Sequence, residues 1–432
     1  MALTRISYLV ASIICFIGIC SQWIDHDLLK MLWKSMAVLF VVLIFFEGYL
    51  AKIRLLNIVL KLPSKIPLGL PQDLNVEIEN PLNQVLNIQL QCSFADLITG
   101  DQTVLQCEIN ANEQSTIKQP ITLTHLKTYS PGRLHYRIHG RWQLAWWNRP
   151  PVDMPQTQAE PHRLKHQFKG VGQSRKGEKV IVKQSFEGCD LMVLRPFQQE
   201  DPLKNIDWKA TAKRGKPITR IYAEETSIDM VIIIDAGRSS QIQLGNLTRL
   251  HHYVNVSARL AELAINQGDR VALVSFAEAL IATPLVGGSR GLRAFRSQLQ
   301  KLHSSHHEFN PLNTVLHVNN MLKRRSLVVI FTEIEDMETS TQLFKATRLL
   351  TPKHSPLVAS LLDESIEQMK QQQTNSWLDP YCAYAAYDYE ATSQNTILHL
   401  QRQGAQVIVA KADQLDAMLL SRYESMRYRH MI

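Results

Sequence analysis

The sequence predicts an α/β protein with two transmembrane helices, a small antiparallel β-sandwich and a mostly parallel sheet covered by helices. Three observations predict this fold class. The chain begins with two long apolar runs, continues with alternating apolar and polar residues, and ends with continuous Val/Ile/Leu runs separated by helical patterns. Alternation is typical of strands with one wet face, and continuous apolar runs between helices are typical of a buried parallel sheet. A chain of 432 residues has room for several such units.

Residues 1–55 are predicted to form a membrane anchor with two helices. Residues 6–24 contain no charged side chain, and residues 36–50 contain only Glu47. A helix needs about 20 apolar residues to cross a bilayer, a length that the second run reaches with its flanks. The alternative is a cleaved signal peptide followed by one anchor, but no small-x-small cleavage site follows the first run. We expect Glu47, near the end of its run, to extend its carboxylate to the membrane interface.

The distribution of positive charge predicts how this anchor is oriented. Arg5 precedes the first apolar run, and Lys52 and Arg54 follow the second. Basic residues near membrane helices favour the cytoplasmic side, so both termini and the soluble domains are predicted to be cytoplasmic. Six cysteines are too few for a disulfide scaffold in a chain this long, and the absence of a CxxC pair excludes a zinc ribbon. We expect them to be unpaired thiols.

Residues 56–147 are predicted to form the small antiparallel β-sandwich. Apolar and polar residues alternate at 75–79, 86–92 and 134–138, and Asn-Pro and Ser-Pro-Gly turn signals lie between these segments. The next segment, 148–225, is rich in Pro, Gln and basic residues at its start. We interpret it as a basic connector that leads into a motif-bearing segment.

Residues 226–432 are predicted to form the mostly parallel, Rossmann-like sheet. Continuous apolar runs alternate with helical patterns, and these runs are 230–234, 270–276, 327–331, 357–362 and 405–410. Such runs indicate a sheet with helices on both faces. Ligand sites in sheets of this kind form at the carboxyl ends of the strands, where Asp235 and Glu333 follow two of the runs.

Oxygen-bearing side chains at this edge suggest a site for a hard cation such as Mg²⁺. The candidate ligands are Asp235, Ser239, Thr314 and Glu333. The pattern resembles the metal-ion-dependent adhesion site of von Willebrand factor A domains, which uses Asp-x-Ser-x-Ser, a distant Thr and an Asp. Gly237 stands here in place of the first Ser, and Glu333 in place of the Asp. The alternative is a retained fold whose degenerate site binds no metal.

A second motif lies just before the predicted sheet and contains the sequence Ile-Asp-Trp-Lys. It resembles the signature of the domain-of-unknown-function 58 family of bacterial membrane proteins, and the matching positions are Arg195, Asp201, Ile206, Asp207, Trp208, Lys209, Ala212 and Lys213. The sequence departs from the signature at Phe197, Glu200 and Lys204. The resemblance extends over nearly the whole chain. It implies a protein of the bacterial inner membrane, a von Willebrand factor A-like domain and a MoxR-type AAA+ ATPase as partner.

The same motif has a physical interpretation that does not depend on the family. Asp207 is placed to cap a helical turn that begins at Trp208, and Trp208 is expected to bury a large apolar area. Lys209 and Lys213 would then project from the turn. Two hypotheses remain open, namely that the segment packs one domain against another or that it binds a partner. The candidate partner-binding residues are Arg195, Asp201, Asp207, Trp208, Lys209 and Lys213.

The net charge of +8 comes from one part of the chain. Residues 161–220 contain 14 Lys and Arg against 6 Asp and Glu. Its most basic stretch comprises Lys165, Lys169, Arg175, Lys176, Lys179 and Lys183. Anionic lipid headgroups, an acidic partner, RNA or solvent alone could face this strip.

Motifs of common enzymes are absent from the sequence. It contains no GxxxxGK[ST] phosphate loop, no HExxH and no GxSxG. We therefore predict a non-enzymatic adaptor that binds a protein partner, with Mg²⁺ at the sheet edge as one means of holding a partner carboxylate. The alternatives are a metal-dependent hydrolase using Asp235 and Glu333, and a nucleic-acid-binding module using residues 161–220.

Overall fold

The computed structural model divides the chain into two compact units, Met1–Pro161 and His162–Ile432. The boundary falls inside the predicted connector. The structure describes residues 2–23, 27–53, 56–81, 85–94, 98–100, 104–129, 132–139, 142–164, 184–185, 191–199, 201–223, 227–276, 280–334, 340–371 and 376–428.

The first unit begins with two helices, α1 (Arg5–Trp23) and α2 (Asp27–Ile53). Within α2, the 20 residues Lys30–Tyr49 are long and apolar enough to cross a membrane, whereas the apolar part of α1, Arg5–Ser21, is shorter. A membrane-associated amino-terminal segment is therefore consistent with the structure. The second span stays a prediction.

The position of Glu47 corrects the expectation that its carboxylate reaches the membrane interface. Its side chain is fully buried, and its Oε1 accepts hydrogen bonds from the backbone N–H of Trp142 at 3.0 Å and of Leu144 at 3.4 Å. Buried amide groups need acceptors, and this carboxylate supplies one at the end of α2. Glu47 thus joins the second apolar helix to the β-rich part of its unit.

The strands of the first unit pair almost entirely in antiparallel fashion. They are β1 (Ala2–Leu3), β2 (Asn57–Lys61), β3 (Lys65–Pro67), β4 (Gln72–Glu79), β5 (Leu86–Phe94), β6 (Ile98–Gly100), β7 (Leu105–Ile109), β8 (Gln114–Leu123), β9 (Thr128–Tyr129), β10 (Gly132–His139), β11 (Ala145–Asn148), β12 (Val152–Asp153) and β13 (Thr157–Glu160). They form one sheet of order β1-β11-β10-β5-β7 with β12 on β10, a second of order β2-β4-β8-β6, and a third of order β3-β13-β9. Alternate residues of β4, including Leu74, Val76 and Ile78, are buried. The predicted alternation of buried and wet faces is confirmed.

The second unit contains the predicted alternation of strands and helices. Its strands are β14 (Gln184–Ser185), β15 (Leu191–Pro196), β16 (Ile218–Ala223), β17 (Asp229–Asp235), β18 (Gln243–Leu244), β19 (Leu247–Thr248), β20 (Arg270–Phe276), β21 (Leu280–Ala282), β22 (Leu327–Phe331), β23 (Ser355–Leu361) and β24 (Gln406–Ala410). Its helices are α3 (Trp208–Arg214), α4 (Arg249–Asn266), α5 (Gly288–Leu299), α6 (Pro311–Met321), α7 (Thr341–Leu350), α8 (Glu364–Gln371), α9 (Asp379–Arg402) and α10 (Leu415–Tyr428).

All five predicted apolar runs lie in one six-stranded sheet of order β21-β20-β17-β22-β23-β24. Its strands are parallel except for β21 at one edge. On one face, residues of α6, α7 and α9 such as Val318, Leu350 and Leu400 join the core. On the other face, Tyr253 of α4 packs on Phe331 with ring centroids 5.3 Å apart. Burial of both faces explains why these strands are continuously apolar.

Candidate functional site

The motif around Ile-Asp-Trp-Lys lies between β15 and β16, and Asp201 is its buried centre. The Asp201 carboxylate accepts hydrogen bonds from Arg195 Nη2 at 2.6 Å, Gln198 N–H at 2.9 Å and Thr219 Oγ1 at 3.1 Å. Burial by itself raises the pKa of Asp201, but these donors and the charge of Arg195 bring the pKa below its ordinary value. Arg195 and Asp201 therefore stabilise the loop between the two strands.

Asp207 caps α3, as the sequence predicts. Its side chain accepts a hydrogen bond from Ala210 N–H at 3.0 Å and a second from Arg220 Nε at 3.1 Å. The bond from Arg220 and the helix N–H hold the pKa of Asp207 below its ordinary value. The helix ends at Gly215, whose φ of 66° is in the left-handed region that glycine adopts at little cost.

The expectation that Trp208 buries a large apolar area is wrong. Its side chain is 71% exposed, whereas the neighbouring Ile206 is buried. The physical reason is that Ile206 bridges to Thr219 of β16 and occupies the inward position, so Trp208 points outward from the first turn of α3. Lys209 and Lys213 are also exposed. We call Trp208, Lys209 and Lys213 the signature surface.

The four candidate metal ligands lie in the second unit, and Asp235 ends the central strand β17. Its Oδ1 accepts a hydrogen bond from Gly237 N–H at 2.8 Å, and its Oδ2 accepts from Thr332 Oγ1 at 2.9 Å and Ser239 Oγ at 3.4 Å. Burial raises the pKa of the Asp235 carboxyl, although these donors and the charge of Arg249 act in the opposite direction.

Gly237 has a steric reason for being glycine. A Cβ at this position would lie 2.7 Å from the backbone nitrogen of Phe309 and 2.9 Å from the carbonyl oxygen of His307. This neighbouring loop is hydrogen-bonded to the loop that follows β17, because Arg238 N–H donates to His307 O at 3.0 Å and Ser305 N–H to Ala236 O at 2.8 Å. The space where the adhesion-site pattern has a Ser side chain is therefore filled by backbone.

The remaining two candidates have partners of their own. The hydroxyl of Thr314 is fully buried in the first turn of α6 and donates to the carbonyl of Asn310 at 2.9 Å. The carboxylate of Glu333 accepts from the Arg249 guanidinium through Oε2 and from the Tyr389 hydroxyl at 3.3 Å through Oε1. Arg249 also donates to the carbonyl of Ser239 at 3.2 Å.

With both clusters defined, the chain can be compared with known proteins. Residues 193–372 match the family model described as "Protein of unknown function DUF58", a segment that includes the signature surface and all four candidate metal ligands. This segment of the chain is therefore similar to the DUF58 family. No curated protein matches the chain.

Solved structures resemble this chain only weakly. An aerotolerance-related membrane protein from Bacteroides fragilis is 12% identical with a TM-score of 0.29, over 47% of this chain and 100% of that one. Salmonella alpha-2-macroglobulin reacted with methylamine is 13% identical with a TM-score of 0.19, over 24% of this chain. Native alpha-2-macroglobulin from Escherichia coli is 14% identical with a TM-score of 0.20, over 25% of this chain. This chain spans 7% and 17% of those two macroglobulin chains, and TM-scores this low support no inference.

The candidate ligands, as the structure places them, already bond to protein groups. Both oxygens of Asp235 and of Glu333 accept hydrogen bonds, and the Ser239 and Thr314 hydroxyls donate to protein oxygens. A Mg²⁺ site formed by these oxygen ligands stays a prediction. Across the part of the chain that the structure describes, no three or more His, Cys, Asp or Glu residues are placed to hold a metal ion.

Sequence reasoning missed two residues of this cluster, Arg249 and Tyr389. A single Arg at the start of a helix carries no spacing signal, and its partner Glu333 lies 84 positions away. Tyr389 belongs to a tyrosine-rich stretch of the sequence, and this composition could have drawn attention to it. Around the amino-terminal end of α9, Trp377, Tyr381 and Tyr384 are all exposed by more than two thirds of their surface.

The most basic stretch of the strip, from Lys165 to Lys183, lies outside the described residues. The described part of the strip includes α3 with its exposed basic side chains. Five cysteines are described, and all are free thiols. Burial raises the pKa of the Cys92 thiol to about 11, which keeps it protonated and unreactive.

Proposed function

We propose that this protein is a membrane-anchored, non-enzymatic adaptor that binds a protein partner through its signature surface. The observation that carries the proposal is an exposed Trp208 on a helix fixed by the buried carboxylate of Asp207. A large exposed aromatic ring on a rigid support loses little conformational entropy on binding, and Trp dominates many binding hot spots. Such exposure does nothing for the stability of the protein itself.

The charges around Trp208 indicate the kind of partner. Lys209 and Lys213 are exposed on the same helix, whereas the acidic residues Asp201 and Asp207 are buried and paired. An acidic surface on the partner would therefore complement the signature surface. The resemblance to the family suggests a MoxR-type AAA+ ATPase as this partner.

The cellular location of the adaptor is part of the same proposal. Two membrane helices with Arg5, Lys52 and Arg54 at their outer ends would place the soluble part in the cytoplasm of a bacterial cell. The basic stretch from Lys165 to Lys183 would then be near anionic lipid headgroups of the inner leaflet.

The two alternatives stay predictions, and no contact described above favours either of them. A hydrolase would need Asp235 and Glu333 to face a substrate, whereas their oxygens accept hydrogen bonds from neighbouring protein groups. Binding of nucleic acid by residues 161–220 would be detected as retention of the protein on RNA or DNA at low salt.

The proposal is tested by affinity purification with crosslinking, in which the full chain, extracted from membranes, is the bait and a purified MoxR-type ATPase is added. We expect Trp208→Ala to reduce the amount of ATPase recovered with the bait about tenfold or more, as removal of a hot-spot Trp does. The matched control is Trp377→Ala, because Trp377 is equally exposed but lies beside α9. Equal recovery with both variants, or no binding of the ATPase by the wild type, contradicts the proposal.

A further inference from the structure

Arg249 is a buried cation at the carboxyl edge of the parallel sheet. It is the first residue of α4, and only 2% of its side chain is exposed. Burying an unpaired guanidinium would be costly, so its partners decide why it is there. These partners are the carboxylate of Glu333 and the carbonyl of Ser239.

The protonation state of Arg249 is fixed by the same partners. Burial by itself lowers the pKa of Arg249, but the charge and hydrogen bond of Glu333, together with Tyr253 and Tyr389, leave the pKa above its ordinary value. The guanidinium is therefore a permanent positive charge. It also acts on Asp235, since it is one of the groups that oppose the rise in the pKa of that carboxyl.

The partners of Arg249 overlap with the residues predicted to bind magnesium. Arg249 bonds to two of those residues, Ser239 and Glu333, and acts electrostatically on a third, Asp235. The two departures from the adhesion-site pattern fit this arrangement. Glu333 has the extra methylene that a longer reach requires and contacts both Arg249 and Tyr389, while Gly237 leaves no room for the missing hydroxyl.

We infer that Arg249 is the resident cation of this edge and that its guanidinium takes the place of a divalent metal ion. The edge of the sheet is then assembled permanently, and no metal is needed to hold the loop after β17 to Glu333. Tyr389 extends the connection to α9, since its hydroxyl bonds to the second oxygen of Glu333. The inference does not depend on the proposed function.

The first test uses the wild-type full chain in detergent. Electron paramagnetic resonance measures Mn²⁺ binding to the wild type and to the Asp235→Asn variant. We expect that neither protein has a saturable Mn²⁺ site at this edge, so the two binding curves should agree. We also expect the same thermal unfolding midpoint in EDTA and in millimolar Mg²⁺. A saturable Mn²⁺ site that disappears in Asp235→Asn overturns the inference, and this measurement does not require any arginine variant to fold.

The second test removes the cation. Arg249→Ala leaves Asp235 and Glu333 without their positive neighbour, so millimolar Mg²⁺ should raise its thermal unfolding midpoint by about 3 °C or more through preferential binding to the folded state. The matched control is Arg259→Ala, because Arg259 is on the same helix and pairs with Asp416. We expect no response to Mg²⁺ from this control or from the wild type.

Two outcomes of the second test count against the inference. One is an equal response of both variants to Mg²⁺, and the other is a wild type that responds as strongly as Arg249→Ala. If Arg249→Ala does not fold, Arg249→Lys replaces it. That variant keeps the charge but loses the planar donor arrangement, so its midpoint should lie below that of the wild type and should not rise in Mg²⁺; a rise would count against the inference.

Discussion

The signature region and the carboxyl edge of the parallel sheet use buried carboxylates in opposite ways. In the signature region, Asp201 and Asp207 each bond to an arginine and to a backbone N–H, and their pKa values are lowered. At the sheet edge, burial raises the pKa of Asp235, and the guanidinium of Arg249 bonds to Glu333 instead. The first arrangement supports the exposed signature surface. In the second, the buried side chains at the sheet edge bond to one another. The difference shows that the groups bonded to a buried carboxylate decide whether its pKa falls or rises.

The largest expected effect comes from removing the carboxylate that pairs with Arg249. Glu333→Ala leaves a buried guanidinium without its charged partner, and the free energy of unfolding should fall by about 3–5 kcal/mol. Urea-induced unfolding of the full chain measures the change. The control is Glu364→Ala, because Glu364 is exposed and faces Lys411 at 3.5 Å. If the free energy of unfolding fell by a similar amount in both variants, the buried pair of Glu333 and Arg249 would contribute no more to stability than an exposed ion pair.

A smaller effect is expected from restoring the hydroxyl at the edge. Gly237→Ser places a Cβ against the backbone of Phe309 and His307 and should lower the free energy of unfolding by about 1–3 kcal/mol. The comparison is Gly287→Ser, where the nearest atoms to a Cβ lie at 3.6 Å, an ordinary contact. A Gly237→Ser variant as stable as the wild type would mean that the neighbouring loop moves aside easily.

In contrast to changes at the sheet edge, a change in the signature surface should leave the stability of the protein nearly unchanged. Trp208→Ala removes a mostly exposed ring, so the free energy of unfolding should change by no more than about 0.5 kcal/mol. Thermal unfolding checks this expectation beside the binding assay. A large loss of stability would show that Trp208 packs against part of the protein, and the contrast between the two regions would then disappear.

The smallest effect is the pH dependence of stability, which should have opposite signs in the two regions. Asp201 has a lowered pKa, so its contribution is present above the ordinary pKa of 3.8 and is lost as the pH falls through the folded value. Asp235 has a raised pKa, so its contribution is present below 3.8 and is lost as the pH rises through the folded value.

Unfolding midpoints of the Asp201→Asn and Asp235→Asn variants across the acidic range measure both contributions. Relative to the wild type, Asp201→Asn should lose part of the rise in stability with pH. Asp235→Asn should lose the contribution that decreases stability as the pH rises. If stability changed with pH in the same way in both variants, the two carboxylates would not differ as described.

Several local features could be predicted from the sequence because neighbouring residues decide them. Asp207 caps α3 because a short acidic side chain can reach an N–H three residues on. The five strands of the parallel sheet could be predicted because a strand buried on both faces must be apolar throughout. The exposure of Trp208 could not, because either Ile206 or Trp208 could face inward until β16 fixes Ile206 against Thr219.

The sequence by itself determined the apolar start, the order of strands and helices in the second unit, and the similarity of residues 193–372 to the DUF58 family. Apolar periodicity and a short motif carry that information locally. Only the tertiary structure decided that Glu47 accepts amide hydrogen bonds, that a loop fills the space beside Gly237, and that Arg249 pairs with Glu333. These pairings join residues far apart in the chain. Those of Gly237 and Arg249 form because parallel strands bring distant loops to one edge of a sheet.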